Sequence, residues 1–211
     1  MNNQSPPANK PYPSDCEVLE GYRSRTRERA DHQKSAEESL LLAKAKAIEL
    51  LLLDVDGVLT DGTLIYQETG IEAKSFNTQD GLGIRLIQKI GVGVGVITAR
   101  QSEIVKRRAD ELGLQYVCQG VNTKLDSYKE IVKTSGLKPF QICYMGDDWI
   151  DLSILNRVGL AACPANSVPE IKDACHFITE RIGGRGAVRQ LCDLIIRAKG
   201  ARDNLLQQYL R

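Results

Sequence analysis

The residues best suited to chemistry lie where an apolar run ends in two aspartates. Four leucines, Leu50–Leu53, are followed at once by Asp54 and Asp56, and Gly57 then allows a sharp turn. An unbroken apolar run of this length is typical of a strand buried on both faces of a parallel sheet, whose carboxyl end is where ligands bind. Two carboxylates that face the same way cost stability unless a cation or a proton lies between them. A loop in which the aspartates cap the next element explains the pair equally well, so the residues downstream must decide.

Further polar residues stand at the ends of later apolar runs. Thr98 follows the run VGVGVI, Lys124 opens the helix after the next strand, and the segment GDDWID brings Asp147, Asp148 and Asp151 after a later one. In a parallel sheet the carboxyl ends of the strands share one edge, so we expect these side chains to converge on the two aspartates.

This set of groups matches the needs of phosphoryl transfer. Hard oxygen ligands from Asp54 and Asp147 suit Mg²⁺, which keeps several waters and shares a substrate phosphate. A carboxylate can attack phosphorus and carry the phosphoryl group as an aspartyl-phosphate, while Lys124 and the Thr98 hydroxyl hold the phosphoryl oxygens. Taken singly, Thr98 could be a helix N-cap, Lys124 a surface charge and GDD a turn. Their occurrence in order after apolar strands favours the catalytic interpretation.

The elements that must position these groups follow from hydrophobic periodicity. Strands are predicted at 50–53, 92–97, 115–118, 141–145, 160–163 and 176–178. They alternate with predicted helices at 82–90, 102–113, 124–136, 151–156 and 168–173, and a last helix opens at GGRGAV and runs to about Lys199. This alternation predicts right-handed βαβ units, an α/β fold with a parallel sheet covered by helices on both faces. A hairpin, 64–66 and 72–76 around Glu68-Thr69-Gly70, follows the aspartates and is placed to act as a flap.

Composition limits the classes of protein that the chain can belong to. The 211 residues include 28 basic and 27 acidic ones, which gives no signal for polyanion binding. The six cysteines show no CxxC spacing and mostly lie in apolar segments, so we expect reduced thiols in the core. The chain has no apolar signal core, no Arg-rich transit pattern and no apolar run long enough to span a bilayer, so we expect a cytoplasmic protein.

Three regions are predicted along the chain. Residues 1–34 form a flexible N-terminal extension, 35–200 the catalytic domain and 201–211 a short amphipathic tail. We expect a helix from about Ser35 to Ala47 that leads into the first strand. The arginines at 23, 25, 27 and 29 suit either an acidic partner or, as we favour, a solvated helix face.

The patterns DVDGVLTDG, ITAR, Lys124 and GDDWID together resemble the haloacid dehalogenase superfamily of phosphatases, over residues 50–151. The resemblance implies a three-layer α/β/α Rossmann-like fold. It implies that Asp54 is the nucleophile and that Asp56 is the general acid that protonates the leaving alcohol and later activates water. Mg²⁺ would be held by Asp54, the carbonyl of Asp56 and Asp147.

The same resemblance suggests which acids support the site. Asp148 is expected to position Lys124 or a metal-bound water, and Asp151 is a weaker candidate for a supporting role. The chain has no room for a cap domain between Asp56 and Thr98 beyond the hairpin. A capless site is open to water, so either the substrate is large or a neighbouring subunit closes the site.

Nearly the whole chain is similar to the family of 3-deoxy-D-manno-octulosonate 8-phosphate (KDO 8-phosphate) phosphatases, through FNTQDGLGIR, TARQSEIVKRR, YVCQGVNTKL and GGRGAVRQLCDLI. The resemblance implies hydrolysis of this sugar-acid phosphate in lipopolysaccharide biosynthesis by a capless homotetramer, in which neighbouring hairpins and tails cover the site. It implies that Asp56 and Lys124 also bind substrate, together with a substrate loop and three arginines. The loop residues are Asn77, Thr78, Gln79, Asp80 and Gly81, and the arginines are Arg85, Arg100 and Arg108. Arginine forks and a polar loop suit a substrate with a carboxylate and hydroxyls.

Three alternatives remain at this stage. In the related phosphatases of nonulosonate (sialic-type) 9-phosphates an acid stands at the position of Arg100 and GGEG replaces GGRG, so Arg100 and the GGRG motif favour the octulosonate enzyme. A non-catalytic or regulatory partner protein with the same fold would be marked by loss of the nucleophile, whereas Asp54 is present. A phosphotransferase would need an acceptor alcohol that outcompetes water.

Overall fold

The computed structural model describes residues 15–66, 68 and 72–210. Its strands are β1 (Leu50–Leu53), β2 (Ile65–Tyr66), β3 (Glu72–Ala73), β4 (Gly93–Ile97), β5 (Tyr116–Cys118), β6 (Ile142–Met145), β7 (Leu160–Cys163) and β8 (Phe177–Ile178). Its helices are α1 (Asp15–Lys46), α2 (Thr78–Lys89), α3 (Glu103–Leu112), α4 (Lys124–Ser135), α5 (Leu152–Leu155), α6 (Pro169–Ala174), α7 (Ala187–Ala198) and α8 (Arg202–Gln207), with 3-10 turns at Pro139–Gln141 and Trp149–Asp151.

Six of the strands form one parallel sheet in the order β5-β4-β1-β6-β7-β8. The leucine strand β1 lies in its interior, with Leu51 opposite Val94 on one side and Cys143 on the other. All four leucines of β1 are buried, as expected for a strand that is covered on both faces. The predicted parallel sheet is therefore confirmed.

Alternate leucines of β1 belong to two different cores. Leu51 and Leu53 pack in a cluster that includes residues of α2 and α7, such as Ile84 and Ile195. Leu50 and Leu52 pack in a second cluster that includes residues of α4 and α5, such as Ile131 and Ile154. Because successive side chains of a strand point to opposite faces, these two clusters are the helical layers on either side of the sheet. The three-layer α/β/α fold is confirmed.

The long helix α1 begins about twenty residues before the predicted start at Ser35, so that prediction is wrong. Residues before Ser35 lack an apolar stripe at helical spacing, which is the signal that sequence reasoning relies on. They are nevertheless rich in Arg and Glu, which favour helix without any apolar pattern. The chain divides into two compact units, 1–40 and 41–211. The predicted extension over 1–34 stays a prediction, and its first 14 residues lie outside the described part.

The other predicted elements occur close to their expected positions. The predicted helix at 151–156 is a 3-10 turn followed by the one-turn helix α5, and the tail contains the short helix α8. The hairpin is shorter than predicted, with Ile65 opposite Ala73 and Tyr66 opposite Glu72. Thr69 and Gly70 of its turn lie outside the described residues.

No cap domain is inserted in the described part of the fold. The described residues between β1 and β4 form the hairpin and α2 as their only regular elements, and those between α4 and β6 form a 3-10 turn. None of the described helices is both long enough and apolar enough to cross a membrane.

Candidate active site

Asp54 stands at the carboxyl end of β1, where its backbone N–H donates to the carbonyl of Met145 at 2.9 Å and extends the pairing of β1 with β6. Its carboxylate is buried. One oxygen, Oδ1, accepts a hydrogen bond from the Val55 N–H at 2.6 Å, and the other, Oδ2, lies 2.7 Å from the ammonium of Lys124. Burial raises the pKa of Asp54 to about 6, against the opposing effect of Lys124. The side chain is thus held by two donors at the ligand-binding edge of the sheet.

Asp147 follows β6, the strand next to β1, and faces the turn at Gly57. Gly57 has a φ of +86°, and a Cβ at that position would overlap the Asp147 carboxylate. Only glycine combines this left-handed conformation with such a close approach. The turn after Asp56 therefore brings the Asp147 carboxylate against the backbone of the aspartate loop.

Three carboxylates crowd together at this edge of the sheet. Oxygens of Asp54, Asp147 and Asp151 all lie within 4.8 Å of one another. Burial raises the pKa of Asp147 to about 7, and repulsion by Asp54 and Asp151 adds to the effect. A hard divalent cation would relieve this repulsion, and carboxylate oxygens are the ligands that Mg²⁺ prefers. The donor set therefore fits the predicted metal, and the assignment of Asp54 and Asp147 as its carboxylate ligands stays a prediction.

Lys124 is the first residue of α4, and its ammonium is buried between two carboxylates. Its Nζ lies 2.7 Å from Asp54 Oδ2 and 2.7 Å from Asp151 Oδ1. Burial lowers the pKa of Lys124, but the two carboxylates outweigh it and the net shift is upward. Lys124 is therefore a permanent positive charge beside the Asp54 carboxylate.

The acid that positions Lys124 is Asp151, which corrects the prediction that gave this role to Asp148. Asp151 is fully buried, and its Oδ1 also accepts a hydrogen bond from the Tyr144 hydroxyl at 2.6 Å. Its Oδ2 accepts from the N–H of Asp147 at 3.1 Å. Asp148 instead turns outward to accept from the N–H of Trp149 at 2.7 Å, because it caps the 3-10 turn. A role of Asp148 toward a metal-bound water stays a prediction.

Asp56 lies in a second charged cluster on the other side of the turn. Its Oδ1 is 2.5 Å from the Nζ of Lys74, and its Oδ2 is 3.6 Å from the Nε of Arg100. Arg100 also donates to Glu72 at 3.0 Å and to the Tyr66 hydroxyl at 3.1 Å, and these hydrogen bonds raise its pKa. The structure thus brings Arg100, which the family resemblance implies as a substrate-binding residue, next to Asp56.

Sequence reasoning missed the hairpin's share in this cluster. Glu72 lies in β3 and Lys74 directly follows it, and the Lys74 side chain is only 1% exposed. Glu72 and Lys74 are two residues apart, and on an extended chain such residues face the same way. This spacing does not indicate whether the face that they share is turned toward Asp56. Tyr144 was missed because a tyrosine inside an apolar strand is ordinarily a core residue.

Thr98 directly follows β4, the other neighbour of β1. Its N–H donates to the carbonyl of Cys118 at 2.9 Å, and its side chain is buried. The register places Leu53 opposite Val96, so the ends of β1 and β4 run side by side toward Asp54 and Thr98. The position of Thr98 agrees with the predicted role, which remains a prediction.

The predicted substrate loop is only partly available to a ligand. Thr78 and Gln79 are exposed at the start of α2, and the Asn77 side chain caps this helix by accepting from the Gln79 N–H at 2.7 Å. Asp80, in contrast, is buried, and its carboxylate accepts from the N–H groups of Gly186 at 3.2 Å and Arg189 at 2.7 Å. The prediction that Asp80 binds substrate is therefore corrected: it anchors the start of α7.

The predicted arginines Arg85 and Arg108 lie where α2 meets α3. Arg85 donates to the carbonyl of Glu111 at 2.9 Å, and Arg108 donates to the carboxylate of Glu111 at 3.2 Å. The Arg108 guanidinium also lies over the ring of Phe76, and a Cβ at Gly81 would overlap it. Among the described contacts neither arginine meets the catalytic carboxylates, so their contact with substrate stays a prediction.

Comparison with known proteins places this site in a family. A model described as haloacid dehalogenase-like hydrolase matches residues 116–190. The 3-deoxy-D-manno-octulosonate 8-phosphate phosphatase of Escherichia coli K12 is 39% identical over 163 residues, which cover 77% of this chain and 87% of that protein. A solved structure of the phosphatase of the same name from Yersinia pestis has 38% sequence identity to this chain and a TM-score of 0.77. That match covers 78% of this chain and 89% of that one.

A further solved structure carries ligands. It is the 3-deoxy-D-manno-octulosonate 8-phosphate phosphatase of Moraxella catarrhalis in complex with a magnesium ion, a phosphate ion and a KDO molecule. It is 37% identical, with a TM-score of 0.79, and the match covers 80% of this chain and 97% of that one. The match spans nearly the full length of these relatives. The chain therefore belongs to the haloacid dehalogenase superfamily and, within it, to the family of 3-deoxy-D-manno-octulosonate 8-phosphate phosphatases.

Proposed function

We propose that this protein is a Mg²⁺-dependent phosphomonoesterase that hydrolyses KDO 8-phosphate to KDO and phosphate, a step in lipopolysaccharide biosynthesis. The observation that carries the proposal is the buried Asp54 carboxylate, 2.7 Å from the Lys124 ammonium and crowded by Asp147. A nucleophile, a cation for the phosphoryl oxygens and an acidic metal site thus meet at one edge of the sheet. The relatives named above act on the same sugar-acid phosphate by name.

In the first half of the reaction a carboxylate oxygen of Asp54 attacks phosphorus. A P–O bond forms to Asp54, the bond to the sugar oxygen breaks, and a proton from Asp56 passes to that oxygen. The Val55 N–H and Lys124 hold the attacking carboxylate in place, and Lys124 is near enough to bind a phosphoryl oxygen as its charge develops. Mg²⁺ held by Asp54, Asp147 and the Asp56 carbonyl would supply further positive charge for the phosphate.

In the second half the aspartyl-phosphate is hydrolysed. Water attacks phosphorus, Asp56 takes a proton from this water, and the bond between Asp54 and phosphorus breaks to release phosphate. Asp56 is suited to both steps because it is partly exposed at the mouth of the site, where leaving group and water arrive. The Thr98 hydroxyl is a further ligand for the phosphoryl oxygens.

Arg100 is the proposed recognition group for the carboxylate of the sugar acid. Its guanidinium already binds a carboxylate, that of Glu72, and it is partly exposed next to Asp56. A planar guanidinium pairs with a carboxylate through two parallel hydrogen bonds, which fixes the orientation of the substrate. The exposed residues Thr78 and Gln79 supply polar contacts for the sugar hydroxyls, and Arg85 and Arg108 are the more distant candidates.

The protein is further proposed to act as a cytoplasmic homotetramer. Large apolar side chains are exposed in the hairpin, at Ile65 and Tyr66, and at Trp149, two residues after Asp147 in the chain. Their exposure supports an assembly in which a neighbouring subunit covers the mouth of the site. The six cysteines are free thiols, which suits a reducing compartment. Sedimentation equilibrium of the full chain checks the stoichiometry, and a monomer that is fully active would contradict it.

Replacement of Asp54 by asparagine tests the proposed chemistry. The new side chain keeps the shape of aspartate but cannot form a stable acyl-phosphate, so phosphate release from KDO 8-phosphate should fall below detection. The variant should still fold and unfold cooperatively in urea, at a lower urea concentration than the wild type because Lys124 loses one of its two buried carboxylate partners. A matched control is Asp126→Asn, at an exposed acid of α4 whose nearest cation is Lys129 at 3.6 Å. Retained turnover in D54N, or equal loss in D126N, would contradict the assignment of the nucleophile.

A further inference from the structure

Lys74 is a buried cation that the chemistry described so far does not use. Its side chain is only 1% exposed, although the residue lies just past the end of a two-residue strand in the hairpin. Burial of an ammonium is costly unless carboxylates compensate it. Two do so here, Asp56 Oδ1 at 2.5 Å and Glu72 Oε1 at 3.5 Å. The position of Lys74 is thus tied to that of Asp56.

Lys74 and Lys124 serve different carboxylates. Lys124 lies between Asp54 and Asp151, in the cluster that holds the nucleophile. Lys74 lies in a separate cluster with Asp56, Glu72 and Arg100. In this cluster Glu72 contacts both Lys74 and Arg100. The shortest ion pair of this second cluster is the one between Lys74 and Asp56.

The contact restricts how the Asp56 carboxylate can turn. Lys74 fixes Oδ1 from one side, while Arg100 faces Oδ2 at 3.6 Å from the other. An acid-base group must keep its oxygen within hydrogen-bond reach of the atoms that exchange protons, and an error of about 1 Å can cost about 100-fold in rate. Asp56 lies in a turn and not in a strand or helix, so its side chain depends on such contacts for a fixed orientation.

We propose that Lys74 is a positioning residue of the reaction, which holds the Asp56 carboxylate in the orientation needed for proton exchange. The proposal rests on the proposed phosphatase chemistry and deepens it. The ion pair engages the ionised form of Asp56, which is the form left after the leaving group has been protonated and the form that takes the proton of water. The hairpin segment, through Lys74, is therefore part of the catalytic apparatus.

The proposal predicts that the two half-reactions depend differently on Lys74. An aryl phosphate such as p-nitrophenyl phosphate has a good leaving group that needs little protonation, so its phosphoryl transfer to Asp54 should survive replacement of Lys74. Hydrolysis of the aspartyl-phosphate needs Asp56 as base with every substrate, so this step should slow down. With KDO 8-phosphate both steps need Asp56, because the leaving group is a simple alcohol.

Rapid-quench kinetics of Lys74→Met test this difference in the full-length protein with Mg²⁺. Steady-state kcat should fall by about 10- to 100-fold for KDO 8-phosphate. With p-nitrophenyl phosphate the variant should release a burst of about one p-nitrophenol per active site before a slow steady state, because the phosphoenzyme accumulates. Lys74→Arg, which keeps the charge beside Asp56, should recover part of the lost kcat. Lys129→Met, at an exposed lysine of α4, is the control and should behave like the wild type.

A purely structural role of Lys74 gives a different pattern. Lys74→Met would then lose the same fraction of its activity on both substrates, equal to the fraction of the protein that urea unfolding shows to be unfolded. It would give no burst, and Lys74→Arg would recover no activity. This result would overturn the proposal. Wild-type protein that hydrolyses neither substrate would overturn the proposed function itself. A wild type that is active beside a K74M variant without a burst would overturn only the role of Lys74.

Discussion

Replacement of Asp151 by asparagine should destabilise the protein far more than the same change three residues earlier at Asp148. Asp151 is fully buried, and its two oxygens accept from Lys124 at 2.7 Å, from Tyr144 at 2.6 Å and from the Asp147 N–H at 3.1 Å. An asparagine keeps the shape but removes the negative charge and turns one acceptor into a donor. Lys124 would then be left with Asp54 as its only buried carboxylate partner among the described residues.

The structure sets the scale of the effect. Removal of one partner of a buried ion pair costs about 3–5 kcal/mol, and the lower value applies because Lys124 keeps Asp54. For a chain of this length about 3 kcal/mol corresponds to a fall of about 6–12 °C in Tm. Asp148 is exposed and its carboxylate accepts from backbone N–H groups of the 3-10 turn that it caps, so asparagine can replace it as a cap without a measurable change.

The assay is urea and thermal unfolding of D151N and D148N side by side with the wild type, followed by kcat for p-nitrophenyl phosphate. D151N should also lose about 10- to 100-fold in kcat, because Lys124 is no longer fixed beside the nucleophile. Equal stability of D151N and the wild type, or a larger loss in D148N, would refute the conclusion that Asp151 positions Lys124.

Three further predictions concern substrate choice, the turn and the metal site. Arg100→Glu should raise KM for KDO 8-phosphate by about 100-fold or more and leave that for p-nitrophenyl phosphate nearly unchanged; an equal loss on both would exclude substrate selection by this residue. Gly57→Ala should abolish Mg²⁺ binding by calorimetry because its Cβ overlaps Asp147, whereas Gly91→Ala, with a φ of +85° and open space around it, should only lower stability. In the presence of EDTA, the free energy of unfolding should fall as the pH rises from about 4 to about 7. The pKa values of Asp54 and Asp147 are raised in the folded state, so in this pH range the folded protein holds protons that the unfolded chain has released. Saturating Mg²⁺ should remove this slope in urea titrations, and an identical slope with and without Mg²⁺ would contradict the assignment.

The sequence is most informative where one physical cause acts alone. Four consecutive leucines leave no polar face, so Leu50–Leu53 is best explained as a strand that is buried on both faces of the sheet. Polar residues directly after such strands must lie at one edge of a parallel sheet, which places Asp54, Thr98 and Asp147 from the order of the residues alone.

The sequence is least informative where tertiary contacts choose between similar side chains. Asp147, Asp148 and Asp151 share one short segment, and only the capped 3-10 turn decides that Asp148 points outward while Asp151 points at Lys124. From the sequence, Asp80 fits a polar substrate loop. Only the fold shows that its carboxylate accepts hydrogen bonds from the N–H groups at the start of α7.

Two other features escaped sequence reasoning for different reasons. The spacing of Glu72 and Lys74 says that they share a face, but not that this face meets Asp56, because the fold of the hairpin over the site is a long-range property. The early start of α1 was missed because its residues favour helix without an apolar stripe, and periodicity is the stronger signal in sequence.

Phosphate release from three substrates, with and without Mg²⁺, decides whether the site is a phosphatase and for which sugar. KDO 8-phosphate, a nonulosonate 9-phosphate and p-nitrophenyl phosphate would be compared under identical conditions. We expect Mg²⁺-dependent turnover with the highest kcat/KM for the eight-carbon sugar acid, since Arg100 and the GGRG motif, which favour the octulosonate enzyme over the nonulosonate enzymes, are both present. A preference for the nine-carbon acid would keep the phosphatase and contradict the substrate. Absence of release from all three would contradict the phosphatase itself and favour a non-catalytic partner protein with the same fold.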